Sequence, residues 1–219
     1  MKIIIAGSSG MIGKLILTNC LNSSKISEVI SLVRKPTSLK HEKLRELVVL
    51  DFEDYSQHGA SFKDIDIAFF CLGVYTGQVA DDLFKTITVN YAVKFAKALE
   101  EKSPQATICL LSGAGADRTE KSKTSFARYK GMAENQISNL NLKFHSFRPG
   151  YIFPVEQRNE PNFAYRMMRF LYPLINFLGK RYSIKSTELA NAMFFVGMHG
   201  ADTQILENQD ILNYSHKQQ

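Results

Sequence analysis

Three glycines stand at positions 7, 10 and 13, in the run Gly7-Ser8-Ser9-Gly10-Met11-Ile12-Gly13. Glycine is required where a turn is too tight for a Cβ and where an anion must reach the backbone itself. A short apolar strand, Lys2-Ile3-Ile4-Ile5-Ala6, runs into this turn, and a helical pattern carrying Leu15, Ile16 and Leu21 leaves it. A helix starting there points its free N–H groups and the positive end of its dipole at whatever lies on the glycines. The ligand that suits such a turn is the diphosphate of a dinucleotide. Arg34 and Lys35 directly follow the second apolar run. A site for NAD(H) usually has an acid there to hold the ribose hydroxyls, whereas two cations suit a 2′-phosphate. The expected cofactor is therefore NADP(H) rather than NAD(H). Asp51, with Phe52 beside it, closes the third apolar run, where a carboxylate can accept a hydrogen bond from the adenine amino group. Cys71-Leu72-Gly73 closes the fourth and Pro149-Gly150 the sixth. With the glycine turn itself (Gly7, Ser8, Ser9, Gly10, Met11, Ile12, Gly13), these complete the expected cofactor contacts.

The elements that must position these residues alternate along the chain. Strand-like runs are expected over 2–6, 29–33, 47–50, 65–71, 107–111 and 144–147, with a further strand over 203–206. Helices are expected over 10–21, 81–101, 125–139 and 189–198. Such alternation predicts an α/β fold, a Rossmann-type doubly wound parallel sheet in one domain spanning 1–219. In an open parallel sheet ligands bind beyond the carboxyl ends of the strands, which is where the residues above fall. After Gly150 the texture changes to aromatics, Met and Pro. The segment 151–185 reads as a small appendage on the substrate side. It contains a helix over 163–178 that Pro173 kinks, and it roofs an apolar pocket.

Composition supports this frame. A chain of 219 residues with 45% apolar content can bury one substantial core. The net charge of +6 is spread rather than clustered, which fits an anionic cofactor and argues against a nucleic-acid surface. Cys20, Cys71 and Cys109 match no metal or redox spacing and read as free thiols in a reducing, cytoplasmic setting. No run reaches membrane-spanning length. The expected partner is a small-molecule substrate, with an oligomer left open.

Five segments then narrow the reading: the glycine turn, Phe69-Phe70-Cys71-Leu72-Gly73, Leu110 to Asp117 (LLSGAGAD), Lys130-Gly131-Met132-Ala133-Glu134, and Phe147-Arg148-Pro149-Gly150. Together they resemble the short-chain dehydrogenase/reductase superfamily in its atypical, extended-like division. Their order is similar to the Tat-interacting-protein-like and NAD-dependent epimerase/dehydratase-like branch, over roughly residues 1–200. The resemblance implies a bound nicotinamide cofactor and a Tyr-x-x-x-Lys pair on one helix, in which the Lys holds the nicotinamide ribose and the Tyr moves the substrate proton. Lys130 takes the Lys position, so Phe126 takes the Tyr position. Ser112 is the first Ser after the fifth strand and the candidate catalytic hydroxyl. The superfamily's hydroxyl usually lies a residue or two later, where Gly113 and Ala114 stand. Tyr129 neighbours Lys130 and points about 100° away round the helix.

Three functions stay open. An oxidoreductase would transfer hydride between NADPH and a small apolar or planar substrate without the usual Tyr acid, with Tyr75, Tyr151 or His145 as substitute donors. A non-catalytic protein would bind NADP(H) as a redox-sensing regulator. A sugar-nucleotide epimerase or dehydratase needs the same missing Tyr and is the weakest of the three.

Overall fold

Ile3 and Ile5 face one side of the first strand and Ile4 and Ala6 the other, and all four are fully buried. A strand buried on both faces belongs in the middle of a parallel sheet. The computed structural model, which describes residues 1–155 and 182–217, places it there. Strands β1 (Lys2–Ala6), β2 (Glu28–Val33), β3 (Leu44–Val48), β4 (Ile67–Phe70), β5 (Thr107–Leu111) and β6 (Lys143–Arg148) join a late strand, β9 (Ile205–Glu207). They form one seven-stranded sheet in the order β3-β2-β1-β4-β5-β6-β9. Every neighbouring pair is parallel. The order reverses between β1 and β4, and that reversal opens a crevice at their carboxyl ends.

Helices cover both faces. On one, α1 (Met11–Asn22) contributes Ile12 and Ile16, which pack on Ile3, Ile5 and Phe69. On the other, the expected long helix is α2 (Asp81–Lys85), a π turn (Thr86–Asn90) and α3 (Tyr91–Lys102) in succession. Its Phe84, Val89 and Phe95, with Ile137 of α4 (Ser125–Ser138), pack on Ile4, Ala6 and Phe70. The alternation of the strand residues thus feeds two separate cores.

Most expected elements fall within a residue or two of their places. The third strand does not. The apolar run 47–50 suggested it, but β3 pairs with β2 from Leu44 opposite Val29 to Val48 opposite Val33. As the edge strand it tolerates Arg45 and Glu46, so its pattern is not apolar. Past it, Val49 drops into the core while Leu50 is 90% exposed. Asp51 therefore lies in the turn after β3 rather than on the strand.

After β6 the chain forms a second, two-stranded parallel sheet from β7 (Tyr151–Phe153) and β8 (Ser183–Lys185), which the sequence pattern had not revealed. The segment expected on the substrate side, 151–185, thus leaves and returns at one point. Asn208 pins that point: its side chain accepts from the Gly150 N–H at 2.8 Å and donates to the Ser183 carbonyl at 3.1 Å. The helix expected over 163–178, and Pro173, lie outside the described residues. Helix α5 (Ser186–His199) returns to the α1 face, and α6 (Asn208–Ser215), also unexpected, closes the chain's described part. Among the described residues, no helix is long and apolar enough to cross a membrane.

Candidate cofactor and active site

The three glycines do three different things. Gly7 has φ +89°, and a Cβ there would lie 2.7 Å from the Cys71 carbonyl carbon at the end of β4. Gly13 allows α1 to press on the turn, for its Cβ would lie 2.1 Å from the Gly7 carbonyl oxygen. Gly10 is the open one: a Cβ there would meet only the Gly7 carbonyl oxygen, at 3.3 Å. The Gly10 N–H donates to that oxygen and closes the turn. Gly73, across the crevice at the end of β4, has nothing within 4 Å of its Cβ position. Backbone fills the outer two glycine positions, while Gly10 and Gly73 leave bare backbone facing open space. That is a fit for a diphosphate, with the N-terminus of α1 behind it.

The side chains of the turn are mostly committed elsewhere. The Ser8 hydroxyl is buried and hydrogen-bonded to Ser31 of β2, and Ile12 is buried in the core. These two can offer a ligand their backbone only. Ser9 is exposed and Met11 half-buried. Phe52, also expected at the cofactor, is 4% exposed and packs edge-on to Tyr55, so its ring serves the core.

Arg34 and Lys35 are exposed at the carboxyl end of β2, and no carboxylate among the described residues pairs with either. Asp51 accepts a hydrogen bond from the Glu53 N–H at 2.8 Å. Glu53 in turn receives the Asn90 amide of the π turn at 2.9 Å, which ties this loop to the long helix. Burial, then the Asp51 and Glu53 carboxylates, push the Tyr91 phenol above its ordinary range, and Arg34 pulls it the other way. Arg34, Asp51, Glu53 and Tyr91 therefore share one neighbourhood, beside the glycine turn. The π turn ends at Asn90 and leads into Tyr91, and such bulges are frequent at functional sites.

At the far side of the crevice, α4 meets the carboxyl end of β5. The Lys130 ammonium donates to the Leu111 carbonyl at 3.0 Å. Burial pushes its pKa down to about 8, against the opposing effects of Glu134 and Cys71. Burial also pushes the Cys71 thiol up to about 12, with Lys130 opposing. Lys130 thus spans the ends of β4 and β5. One turn earlier, Phe126 presents the tip of its ring to Gly113: a Cβ on Gly113 would lie 2.5 Å from the ring's Cζ. The ring fills the space beside the backbone where a side chain at 113 would stand. The two departures from the superfamily pattern, at 113 and 126, touch one another.

Ser112 has another partner. Its hydroxyl donates to Glu134 at 2.6 Å, and the Ser146 hydroxyl donates to the same carboxylate at 2.8 Å. Arg148 holds Glu134 in a two-pronged ion pair and reaches Glu207 at 2.9 Å. Burial would raise the Glu134 carboxyl, but the hydrogen bonds from Arg148, Ser112 and Ser146 outweigh it and keep it below the ordinary range. This network joins α4, β5, β6 and β9 under the site. Within it, the proton of Ser112, the expected catalytic hydroxyl, is directed at Glu134. Glu134 and Arg148 stand in two of the segments that carry the resemblance, but their pairing was not visible there.

The remaining candidates separate. Tyr129 donates to Asp81 at 2.6 Å and packs on Phe84, tying α4 to α2, as its place on the helix requires. His145 lies at the wrong end of the sheet, in a cleft of about 620 Å³ with Met1, Lys143 and Gly197, and its Nδ1 meets the Thr203 carbonyl. Tyr75 stands in the turn after β4, and Tyr151 opens β7 beside the crevice. Pro149 is buried, and its carbonyl accepts the Ala114 N–H at 2.9 Å. A Cβ on Gly150 would lie 2.4 Å from the Tyr182 carbonyl oxygen, so this glycine serves the β7–β8 junction. Gly131 serves packing likewise, against the Asp117 carbonyl. Cys20 and Cys109 are buried and Cys71 half-buried, all as free thiols.

Comparison with known proteins agrees with this fold. Protein HTATIP2 of Rattus norvegicus is 26% identical over 217 residues, which span 97% of this chain and 88% of that protein. Yeast methylglyoxal/isovaleraldehyde reductase Gre2, solved complexed with NADPH, shares the fold with a TM-score of 0.69 at 14% identity, covering 94% of this chain and 77% of that one. A putative NAD-dependent epimerase/dehydratase from Bacillus halodurans does so with a TM-score of 0.68 at 16% identity, covering 97% and 99%. The model of the NAD(P)H-binding family matches residues 7–193, from the first glycine of the turn to the middle of α5. The chain is a member of the NAD(P)H-binding family, with the atypical short-chain dehydrogenase/reductase fold.

Proposed function

We propose that the chain is an NADP(H)-dependent oxidoreductase that reduces a small apolar or planar substrate without a Tyr acid. The observation that carries this reading is the placement of Lys130 at the carboxyl ends of β4 and β5, on the same crevice as the open glycine backbone of the turn. When bound, the cofactor supplies hydride. The chain's own residues do the rest. Gly7 to Gly13 and the α1 N-terminus hold the diphosphate, Arg34 and Lys35 meet the 2′-phosphate, and Asp51 with the Phe52 backbone receives the adenine. Cys71, Leu72, Gly73, Pro149 and Gly150 wall the nicotinamide end with Lys130. A small carbonyl compound is the first substrate class to test, since the fold is shared with an aldehyde reductase.

The contact between Phe126 and Gly113 favours a second reading, a protein that binds NADP(H) without turnover and acts as a regulator. Steady-state NADPH oxidation with a panel of aldehydes, quinones and flavins separates the two. Turnover with at least one member supports the reductase. Tight NADPH binding with no turnover across the panel supports the regulator.

A further inference from the structure

We infer that Lys130 is itself the general acid of this site, handing a proton from its Nζ to the oxygen of the substrate carbonyl. This rests on the reductase reading above and goes beyond it, since the resemblance gives Lys130 only the ribose to hold.

The inference follows from what else could donate. Phe126 stands where a phenol would be, with the tip of its ring against Gly113, and Gly113 has no hydroxyl. The Ser112 hydroxyl is directed at Glu134, and the Tyr129 hydroxyl at Asp81 of α2. His145 faces the cleft at the opposite end of the strands. Lys130 is left among the described residues of α4 and the β5 end, and its own contacts leave it free to act. An ammonium carries three N–H groups. The Leu111 carbonyl takes one at 3.0 Å, and no described carboxylate lies within ion-pair distance of the others.

The surrounding charges suit a donor. Glu134 on the same helix is neutralised by Arg148 of β6, and Cys71 at the end of β4 is held protonated by burial. From α2, Asp81 is taken by Tyr129; from α3, Tyr91 is turned to Phe52; the π turn brings no titratable group. The ammonium is therefore part-buried without a counter-charge in contact, and burial lowers its pKa to about 8. An acid is most effective with a pKa near the working pH. In the step, hydride from NADPH bonds to the carbonyl carbon as the C=O π pair moves to oxygen, and that oxygen takes the Nζ proton. The products are an alcohol, NADP⁺ and a neutral amine that solvent reprotonates.

The test couples a direct titration with two variants. Amine acylation of the protein across the pH range, read site by site by peptide mass spectrometry, should show Lys130 becoming reactive near pH 8. Surface lysines should follow near their usual value of about 10.4. The kcat/KM for a carbonyl substrate should fall above the same pH. Lys130→Met should lose about 10²–10⁴-fold in kcat. Lys130→Arg keeps a cation for the ribose, so it should restore NADPH affinity to within a few-fold of wild type without restoring turnover.

Rescue of kcat by Lys130→Arg would make Lys130 a positioning cation and overturn the inference. So would a flat pH profile, or loss of turnover in Tyr75→Phe or Tyr151→Phe with Lys130→Met still active. Each of those leaves the reductase standing. Absence of wild-type turnover with every substrate, despite tight NADPH binding, removes the reductase reading and this one with it.

Discussion

Gly10 and Gly13 are three residues apart, and replacing each by Ala should break different things. At Gly13 the new methyl would sit 2.1 Å from the Gly7 carbonyl oxygen and 3.0 Å from the Ser8 Cα. Both contacts are backbone, so the turn and α1 must move apart. Overpacking of this kind costs about 1–3 kcal/mol, occasionally more. At Gly10 the methyl meets only one oxygen, at 3.3 Å, and φ is −80°, which Ala adopts freely. Loss of a Gly cap in favour of Ala should cost under about 1 kcal/mol of folding stability. That methyl occupies the space through which a phosphate reaches the backbone, however. Removing one hydrogen bond to a charged group costs about 1.5–3 kcal/mol, or roughly 10–150-fold in affinity. Urea unfolding of the apoprotein and fluorescence titration with NADPH measure the two effects separately. Gly13→Ala should lower the unfolding midpoint markedly, and Gly10→Ala should lose NADPH while unfolding nearly as wild type does. Wild-type affinity in Gly10→Ala would place the diphosphate elsewhere and refute the reading of the turn.

Other substitutions probe the network beneath the site. Glu134→Gln should destabilise the protein by about 3–5 kcal/mol, because it leaves the Arg148 charge partly buried without its main partner; urea unfolding at pH 7 reads this directly. The Glu134 carboxyl is held below its ordinary range. Its contribution is therefore complete above the unfolded value of about 4.3 and is lost as pH falls through the lower folded value, so wild type should lose more stability than Glu134→Gln across that acid window. Tyr129→Phe removes only the bond to Asp81, and its turnover should match wild type in the NADPH oxidation assay. Phe126→Tyr adds a hydroxyl at the ring tip, which already abuts Gly113. Carbonyl reduction should therefore not rise in this variant, and a large gain would mean that the ring turns freely into the crevice.

The sheet and its crevice were legible because they are local patterns. Ile3 to Ala6, Ile67 to Phe70 and Ile108 to Leu110 are apolar on both faces, as only central parallel strands are, and the glycine spacing marks where the first one turns. Edges and long-range pairings were not legible. The β3 edge strand carries Arg45 and Glu46, which the period of a buried strand excludes, so the pattern drifted onto Leu47 to Leu50. The β7–β8 pair is short and depends on Asn208, more than fifty residues from Gly150 in the chain. At the site, the resemblance assigned Lys130 and Phe126, and helix spacing set Tyr129 apart from them, since residues four apart share a face and adjacent ones do not. The direction of the Ser112 hydroxyl was not legible, because it is set by Glu134 and Arg148, which reach it from another turn of the helix and from another strand.

The central claim is an NADP(H) site whose 2′-phosphate is met by Arg34 and Lys35. Calorimetric titration of wild type and of the Arg34→Ala/Lys35→Ala double variant with NADPH and with NADH tests it most directly. The expected result is tighter binding of NADPH by wild type, with a loss of about 10–150-fold for NADPH in the double variant, corresponding to about 1.5–3 kcal/mol, and little change for NADH. Tighter binding of NADH by wild type, or undiminished NADPH affinity in the double variant, would contradict it.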